Sequence, residues 1–391
     1  MTPLTWLEVD LAAVRANVTV LHERAGSAEL AAVVKADGYG LGAAPIATAA
    51  IEAGAGRLCV FTLDEAAALR AAGVSAPILV LGPLRPEDAS RVGPLDVAVS
   101  VTRPESIGPL GQAATAAERW IPVHVKVDVG MYRLGAPADV AGALVAAVRA
   151  EPGLRLEGFY SHFPNADEAG ASDTEQRFAR FLPLAAQAGV PVRHVANTAT
   201  LLRFPHMALD LVRPGAGLYG FGSGAAAAPA LETLQPVVRW RARIVQVHDV
   251  AAGKSVSYGG AWTAARESRV GVVAVGYADG FRRILSNRGA MLVRGRRAPV
   301  VGTVCMDLTL VDLSDVPQAA VGDVATLIGR DGEAAVSIES FAALCGTIPY
   351  EVLTGLGPRP ARVYIGASRS EGEESSSGEA AQPVRSVTSP P

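Results

Sequence analysis

Only three cysteines, Cys59, Cys305 and Cys345, are spread through 391 residues. Odd in number, far apart and without metal-ligand spacing, they argue against a disulfide framework and a structural zinc site and read as free thiols. Charge is sparse too, at 19% of residues with a formal net charge of -3. That balance lacks the basic footprint of a nucleic-acid or anionic-lipid binder, so neither partner is expected. No uncharged apolar run reaches the length of a membrane span. Met1 to Asp10 carries Glu8 and Asp10 and no basic segment followed by an apolar one, so a secretory signal is not expected. The expected setting is a reducing cytoplasm, and small-molecule chemistry fits the composition best.

Half of the residues are hydrophobic, and the length exceeds what one core usually serves, which predicts two unequal domains. Eight short β-type runs alternate with alanine-rich helical stretches: Leu30–Lys35, Arg57–Phe61, Pro77–Leu81, Asp96–Ser100, Ile121–Val127, Arg155–Tyr160, Val192–Val195 and Leu209–Val212. Helices are expected at Asp64–Ala72, capped by Thr62, at Pro137–Ala150 and at Asp173–Ala188. Eight such units predict a (β/α)8 TIM-type barrel over residues 11–230. The alternative, an open doubly wound sheet, would bring a glycine-rich dinucleotide fingerprint after its first strand, and Lys35–Gly42 does not match one. After a soft stretch at Gly222–Pro229 come β-type runs without long helices: Val237–Val247, Arg269–Val275, Ala290–Val293, Pro299–Val304, Leu308–Leu313 and Val324–Ile328. They predict a mainly β domain over 231–365, with residues 1–10 as a strand pairing with it. The Ser-, Glu-, Gly- and Pro-rich tail, 366–391, is expected to be disordered.

The chemistry-bearing residues cluster at predicted strand ends. In Val33-Val34-Lys35-Ala36-Asp37-Gly38-Tyr39-Gly40 an apolar run ends on a lysine and breaks into glycines. Partial burial lowers the pKa of such an amine and suits it to attack carbonyls, although a lysine snorkelling from an ordinary turn would look the same. Lys126 lies inside another apolar run, seven residues before Arg133. Either it pairs with Asp128 or a neighbouring carboxylate, or it is carbamylated to an anion that Arg133 holds. Arg213 precedes the small-residue turn Pro214-Gly215-Ala216-Gly217, whose amides can form a phosphate nest, though such turns are common in βα loops. Ser257-Tyr258-Gly259, Gly276-Tyr277-Ala278-Asp279-Gly280 and Cys305-Met306-Asp307 each read singly as hairpin turns.

Taken in order, these segments resemble the alanine racemases, together with Ser161-His162-Phe163, His194 to Thr198 and Ile348 to Val352. The resemblance spans Trp6 to Tyr364. It implies pyridoxal 5'-phosphate bound at Lys35, with Tyr39, His162, Asn197, Thr198, Arg213, Gly215 and Ala216 as its other contacts. It also implies that Lys35 and Tyr258 are the two catalytic bases, serving opposite faces of the substrate α-carbon. Arg133, Met306 and Tyr277 would contact the substrate, and Lys126 would be carbamylated. Tyr258, Met306 and Tyr277 would come from the partner subunit, so the resemblance implies a homodimer with shared sites and no metal. The implied activity is interconversion of L- and D-alanine, supplying D-alanine for peptidoglycan. Thr198 stands where family members often carry serine, which keeps the hydroxyl. The rival functions are racemisation of serine or a broader set, a non-catalytic cofactor carrier, and a barrel decarboxylase.

Overall fold

A computed structural model describes residues 3–168, 170–222 and 232–367. The soft stretch from 223 and most of the tail expected to be disordered fall outside these residues. Contacts divide the chain into two compact units: Ala13–Gln235, and a second that joins Met1–Ala12 to the chain from Pro236 onward.

After strand β1 (Thr5–Asp10), which belongs to the second unit, eight short strands follow. They are β2 (Glu29–Val33), β3 (Arg57–Val60), β4 (Ile78–Val80), β5 (Ala98–Val101), β6 (Ile121–Lys126), β7 (Leu154–Tyr160), β8 (Val192–His194) and β9 (Leu211–Val212). Their residues are buried in runs, as at Ala31-Ala32-Val33, Leu58-Cys59-Val60 and Ile78-Leu79-Val80, because helices cover one face while the other fills the centre. All eight pair in parallel, in the order β8-β7-β6-β5-β4-β3-β2-β9. The two ends of that order meet. The Asp210 amide donates to the Arg193 carbonyl (3.1 Å), the Arg213 amide to the Ala196 carbonyl (2.8 Å), and the Arg193 guanidinium grips Asp210 at 2.7 and 3.1 Å. The first unit is thus the expected barrel.

Thr62 opens helix Leu63–Ala71 with a full capping box: its hydroxyl accepts from the Glu65 amide (3.1 Å), and the Glu65 carboxylate accepts from the Thr62 amide (3.2 Å). A cap of this kind stabilises a helix by about 1 kcal/mol. The helix expected from Pro137 begins only at Ala141, since Pro137 opens a turn that the Val140 amide closes.

The second unit is built on a nine-stranded sheet. Its strands after β1 are β10 (Val238–Val250), β13 (Ser268–Val273), β14 (Ala290–Val293), β15 (Arg296–Pro299), β16 (Thr309–Asp312), β17 (Val324–Asp331), β18 (Ala334–Val336) and β19 (Ala361–Ile365); a separate hairpin pairs β11 (Ser255–Val256) with β12 (Trp262–Thr263). β1 lies between β10, antiparallel to it, and β19, parallel to it. Thr5, Leu7 and Val9 alternate inward, and the Thr5 hydroxyl accepts from the indole of fully buried Trp240 (3.1 Å). Trp240, Phe281 and Phe341 form an aromatic triangle with centroids 5.9 to 6.1 Å apart. One expected strand is corrected. Pro299–Val304 is not extended pairing throughout: β15 ends at Pro299, Val300 makes an isolated bridge to Val311, and Gly302 then turns the chain at φ +81°.

Candidate active site

Strand β2 stops at Val33, and Lys35 stands two residues beyond it. The chain does not then pass into a loose glycine loop. Ala36, Asp37, Gly38, Tyr39 and Gly40 all have positive φ, from 52° to 80°, and wind one left-handed turn. The Gly38 amide donates to the Val34 carbonyl (2.9 Å) and the Gly40 amide to that of Ala36 (2.8 Å). Residues with a β-carbon resist this conformation by about 1–2 kcal/mol each. The turn carries Tyr39 against the loop after β9, where a β-carbon on Gly215 would collide with the phenol oxygen. The Thr198 hydroxyl holds that loop by accepting from the amides of Gly215 and Gly217, both at 3.1 Å. Ala216 follows in a buried short turn, Ala216–Tyr219, and the Tyr219 ring lies 4.6 Å from that of Tyr39. Asn197 caps the helix that begins at Thr198, its side chain accepting from the Thr200 amide (2.9 Å).

Four cations, Lys35, Lys126, Arg133 and Arg213, lie within electrostatic range of His162. Burial, with Arg133 next in effect, lowers the pKa of Lys35, while Glu65 and Cys59 oppose the shift. Burial pushes Lys126 down to about 7, aided by Arg213, Arg133 and Lys35 and opposed by Asp128. His162 is held well below the ordinary imidazole value by burial and then by Arg213, Arg133 and the two lysines, so it is neutral. Arg133 is exposed and borders a cavity of about 740 Å³ that Arg103, Asp128 and Arg180 also line. Asp128, one alternative partner of Lys126, accepts from the amides of Gly130 (2.6 Å) and Met131 (2.8 Å).

Arg213 is 5% exposed and, among the described residues, faces no carboxylate directly. It donates to the carbonyls of Ser161 (2.9 Å) and Val195 (3.4 Å) and to Nδ1 of His194. A guanidinium only donates, so His194 Nδ1 must accept and its proton sits on Nε2. Nε2 faces Nδ1 of His124 at 2.8 Å, and its donation puts the His124 proton on Nε2, which lies 3.4 Å from Glu157 and also 3.4 Å from Nη1 of Arg57, a contact in which neither nitrogen can then accept. The hydrogen bond from His124 and the neighbouring Arg57 guanidinium hold the Glu157 carboxyl well below the usual carboxylate range. A one-way chain of donors therefore links Arg213 to a carboxylate. Burial keeps both imidazoles neutral. Tyr160 completes this layer: its ring stacks on His194 at 4.4 Å and lies 5.1 Å from the Arg213 guanidinium carbon and 5.3 Å from the Lys126 ammonium.

His124, Glu157 and Tyr160 were not among the expected site residues. One signal existed, since the period of a strand places His124 and Lys126 on the same face of β6. A β-carbon on Gly158 would collide with the His124 ring, so that glycine makes room for the imidazole.

The remaining expected residues lie in the second unit, described by itself. Ser257, at φ +67°, donates to the Thr303 carbonyl (2.8 Å), which seats Tyr258 beside the Gly302–Thr303 turn. The amides of Tyr277 and Ala278 donate to the carbonyls of Cys305 and Met306, both at 3.0 Å. A β-carbon on Gly276 would strike those same carbonyls. Beneath them, Asp279 is 1% exposed and takes a bidentate grip from Arg359 (2.8 and 2.9 Å), which also reaches Asp307 at 2.5 Å. Tyr258, Tyr277 and Met306 remain 73%, 43% and 52% exposed. Among the described residues no group of three or more His, Cys, Asp and Glu side chains could hold a metal, and no helix is long and apolar enough to cross a membrane.

Two family models match the chain, the alanine racemase N-terminal domain over residues 9–222 and the alanine racemase C-terminal domain over 237–364. An alanine racemase from Desulfosudis oleivorans is 41% identical over 380 residues, covering 93% of this chain and 97% of that protein. The crystal structure of alanine racemase from D-cycloserine-producing Streptomyces lavendulae superposes with a TM-score of 0.88 at 36% identity, over 94% of this chain and 98% of that one. A biosynthetic alanine racemase from Pseudomonas aeruginosa gives 0.82 at 37% identity, over 93% and 99%. With both halves matched in order and relatives covered almost end to end, this chain belongs to the alanine racemase family.

Proposed function

We propose that the chain interconverts L- and D-alanine with pyridoxal 5'-phosphate, by two bases on opposite faces of the substrate. The observation that carries this is the donor set of the barrel unit. Lys35 is an amine of lowered pKa, Tyr39 and Thr198 supply hydroxyls beside the Gly215 turn, and Arg213 is a buried guanidinium with no directly contacting carboxylate among the described residues. Such a set fits a ligand with a carbonyl, a phosphate and a ring nitrogen that accepts a hydrogen bond. Lys35 would hold the carbonyl carbon, Tyr39, Thr198 and the Gly215–Ala216 backbone the phosphate, and Arg213 the ring nitrogen, with His162 and Asn197 alongside. When bound, the cofactor supplies an electron sink that acidifies the α-proton of the amino acid.

Racemisation requires that proton to leave one face of the α-carbon and another to return on the opposite face. Lys35 Nζ serves one face. The Tyr258 hydroxyl of the partner subunit serves the other. Arg133, with Met306 and Tyr277 of the partner subunit, receives the substrate, and Lys126, carbamylated, orients Arg133. The exposure of Tyr258, Tyr277 and Met306 on their own unit supports a surface covered in a homodimer. Because Arg213 can only donate, it would leave the ring nitrogen of a bound cofactor unprotonated and its electron sink weaker, which would disfavour transamination and argues against decarboxylase chemistry. We place the enzyme in the cytoplasm, supplying D-alanine for peptidoglycan; the likeness to a biosynthetic relative supports that role.

The test is a racemisation assay on purified protein with and without added pyridoxal phosphate, using L-alanine, L-serine and L-lysine. Cofactor-dependent conversion of L-alanine in preference to the others is expected. Release of carbon dioxide without enantiomer interconversion would overturn the proposal, and equal turnover of serine would redraw the substrate.

A further inference from the structure

The left-handed turn after Lys35 runs against backbone preference at Ala36, Asp37 and Tyr39, all of which carry a β-carbon. Such a turn persists only where its surroundings over-determine it. Its far end closes on itself: Asp37 accepts from the Gly42 amide through its carbonyl and from the Ala43 amide through its carboxylate, both at 2.9 Å. Its near end depends on another element. The Ala36 amide, the first beyond Lys35, donates to Oε1 of Glu65 at 2.7 Å. The other carboxylate oxygen, Oε2, accepts from the amides of Phe61 (2.6 Å) and Thr62 (3.2 Å). One carboxylate therefore ties the loop after β2 to the loop after β3 through three backbone amides.

We infer that Glu65 is a positioning residue whose carboxylate clasps the left-handed turn, and so aims Lys35 and Tyr39 at the cofactor. The inference rests on the function proposed above. Charge-assisted bonds from backbone amides are among the stronger ones available, and this one acts on the peptide adjoining the reactive lysine. Glu65 also favours the protonated form of Lys35, against burial and Arg133. The competing role is purely structural, because Glu65 is also half of a helix capping box.

Three full-length variants separate the two roles: Glu65→Gln, Thr62→Ala, and Glu65→Gln combined with Ala36→Gly. Each is read by titrating cofactor-free protein with pyridoxal phosphate, by hydrogen exchange over residues 34–42, and by thermal midpoint. Glu65→Gln should weaken pyridoxal phosphate binding roughly tenfold or more and speed exchange across the turn. Thr62→Ala breaks the other half of the capping box and should lower the midpoint with little change in affinity or exchange. Glycine adopts positive φ without a β-carbon penalty, so Ala36→Gly should restore affinity and slow exchange in the Glu65→Gln background without restoring the midpoint. The clasp is refuted if Thr62→Ala loses as much affinity as Glu65→Gln, or if Ala36→Gly restores nothing. Should the parent chain bind no pyridoxal phosphate, the proposed function falls instead, and hydrogen exchange alone still decides the clasp.

Discussion

Lys35, Lys126 and Arg213 take their chemistry from burial in the barrel unit, whereas Tyr258, Tyr277 and Met306 stand exposed on the β unit. On the barrel side Lys35, Lys126 and Arg213 are shielded while Arg133 stays exposed, and polar groups are oriented by neighbours such as His194 and Tyr160. The β side is geometrically firm but uncovered. Arg359 and Asp279 fix the backbone around Tyr277 and Met306 while leaving their side chains in solvent. The contrast teaches that one fold can tune some side chains by desolvation while holding others, as firmly placed, at its surface.

The sharpest way to break the comparison is Lys35→Ala. It should lower racemisation by about a thousandfold or more and abolish the absorbance of lysine-bound cofactor, read spectrophotometrically. Retained absorbance would place the reactive amine elsewhere. Next in size, Tyr258→Phe should slow α-proton exchange of one enantiomer by about 10²–10⁴-fold in single-turnover experiments and leave the other far less affected. Equal loss for both enantiomers would contradict a base on each face.

Lys126 sharpens the burial side through pH. Its folded pKa of about 7 lies below the ordinary 10.5, so between those values the unfolded chain holds more protons than the folded one. Stability should rise with pH across that window by up to about 1.4 kcal/mol per unit, and the full penalty should remain below it. Lys126→Met removes this slope in denaturant titrations. Carbamylation would remove it too, so protein kept in bicarbonate should be flat where carbon-dioxide-free protein is sloped. The smallest effect belongs to Thr5→Val, which deletes hydrogen bonds to Trp240 and to the Arg241 carbonyl. It should cost about 1 kcal/mol, and hydrogen exchange should quicken in strand β10 while the barrel strands hold.

Much of this was legible in the sequence because the information was local. Apolar runs of four to seven residues marked the barrel strands, and Thr62 with Glu65 three residues on marked a helix start. Lys35 and Arg213 were legible as cations at strand ends. The left-handed turn was not, since glycines announce positive φ and Ala36 and Asp37 do not. The link between His124 and His194 was hidden for another reason: 70 positions separate them, and only the pairing of β6 and β8 on either side of β7 brings them together. Gly302 misled in the opposite direction, interrupting a run that otherwise reads as a strand.

The place of β1 has a consequence for how the molecule is made. Strand β1 sits between β10 and β19, so its second neighbour is not complete until Ile365 has been added. The barrel's residues can all emerge while β1 still lacks both partners. Folding of the β unit is thus a late, long-range event with high contact order, and until it happens the N-terminal segment is an unpaired strand edge exposed to other chains.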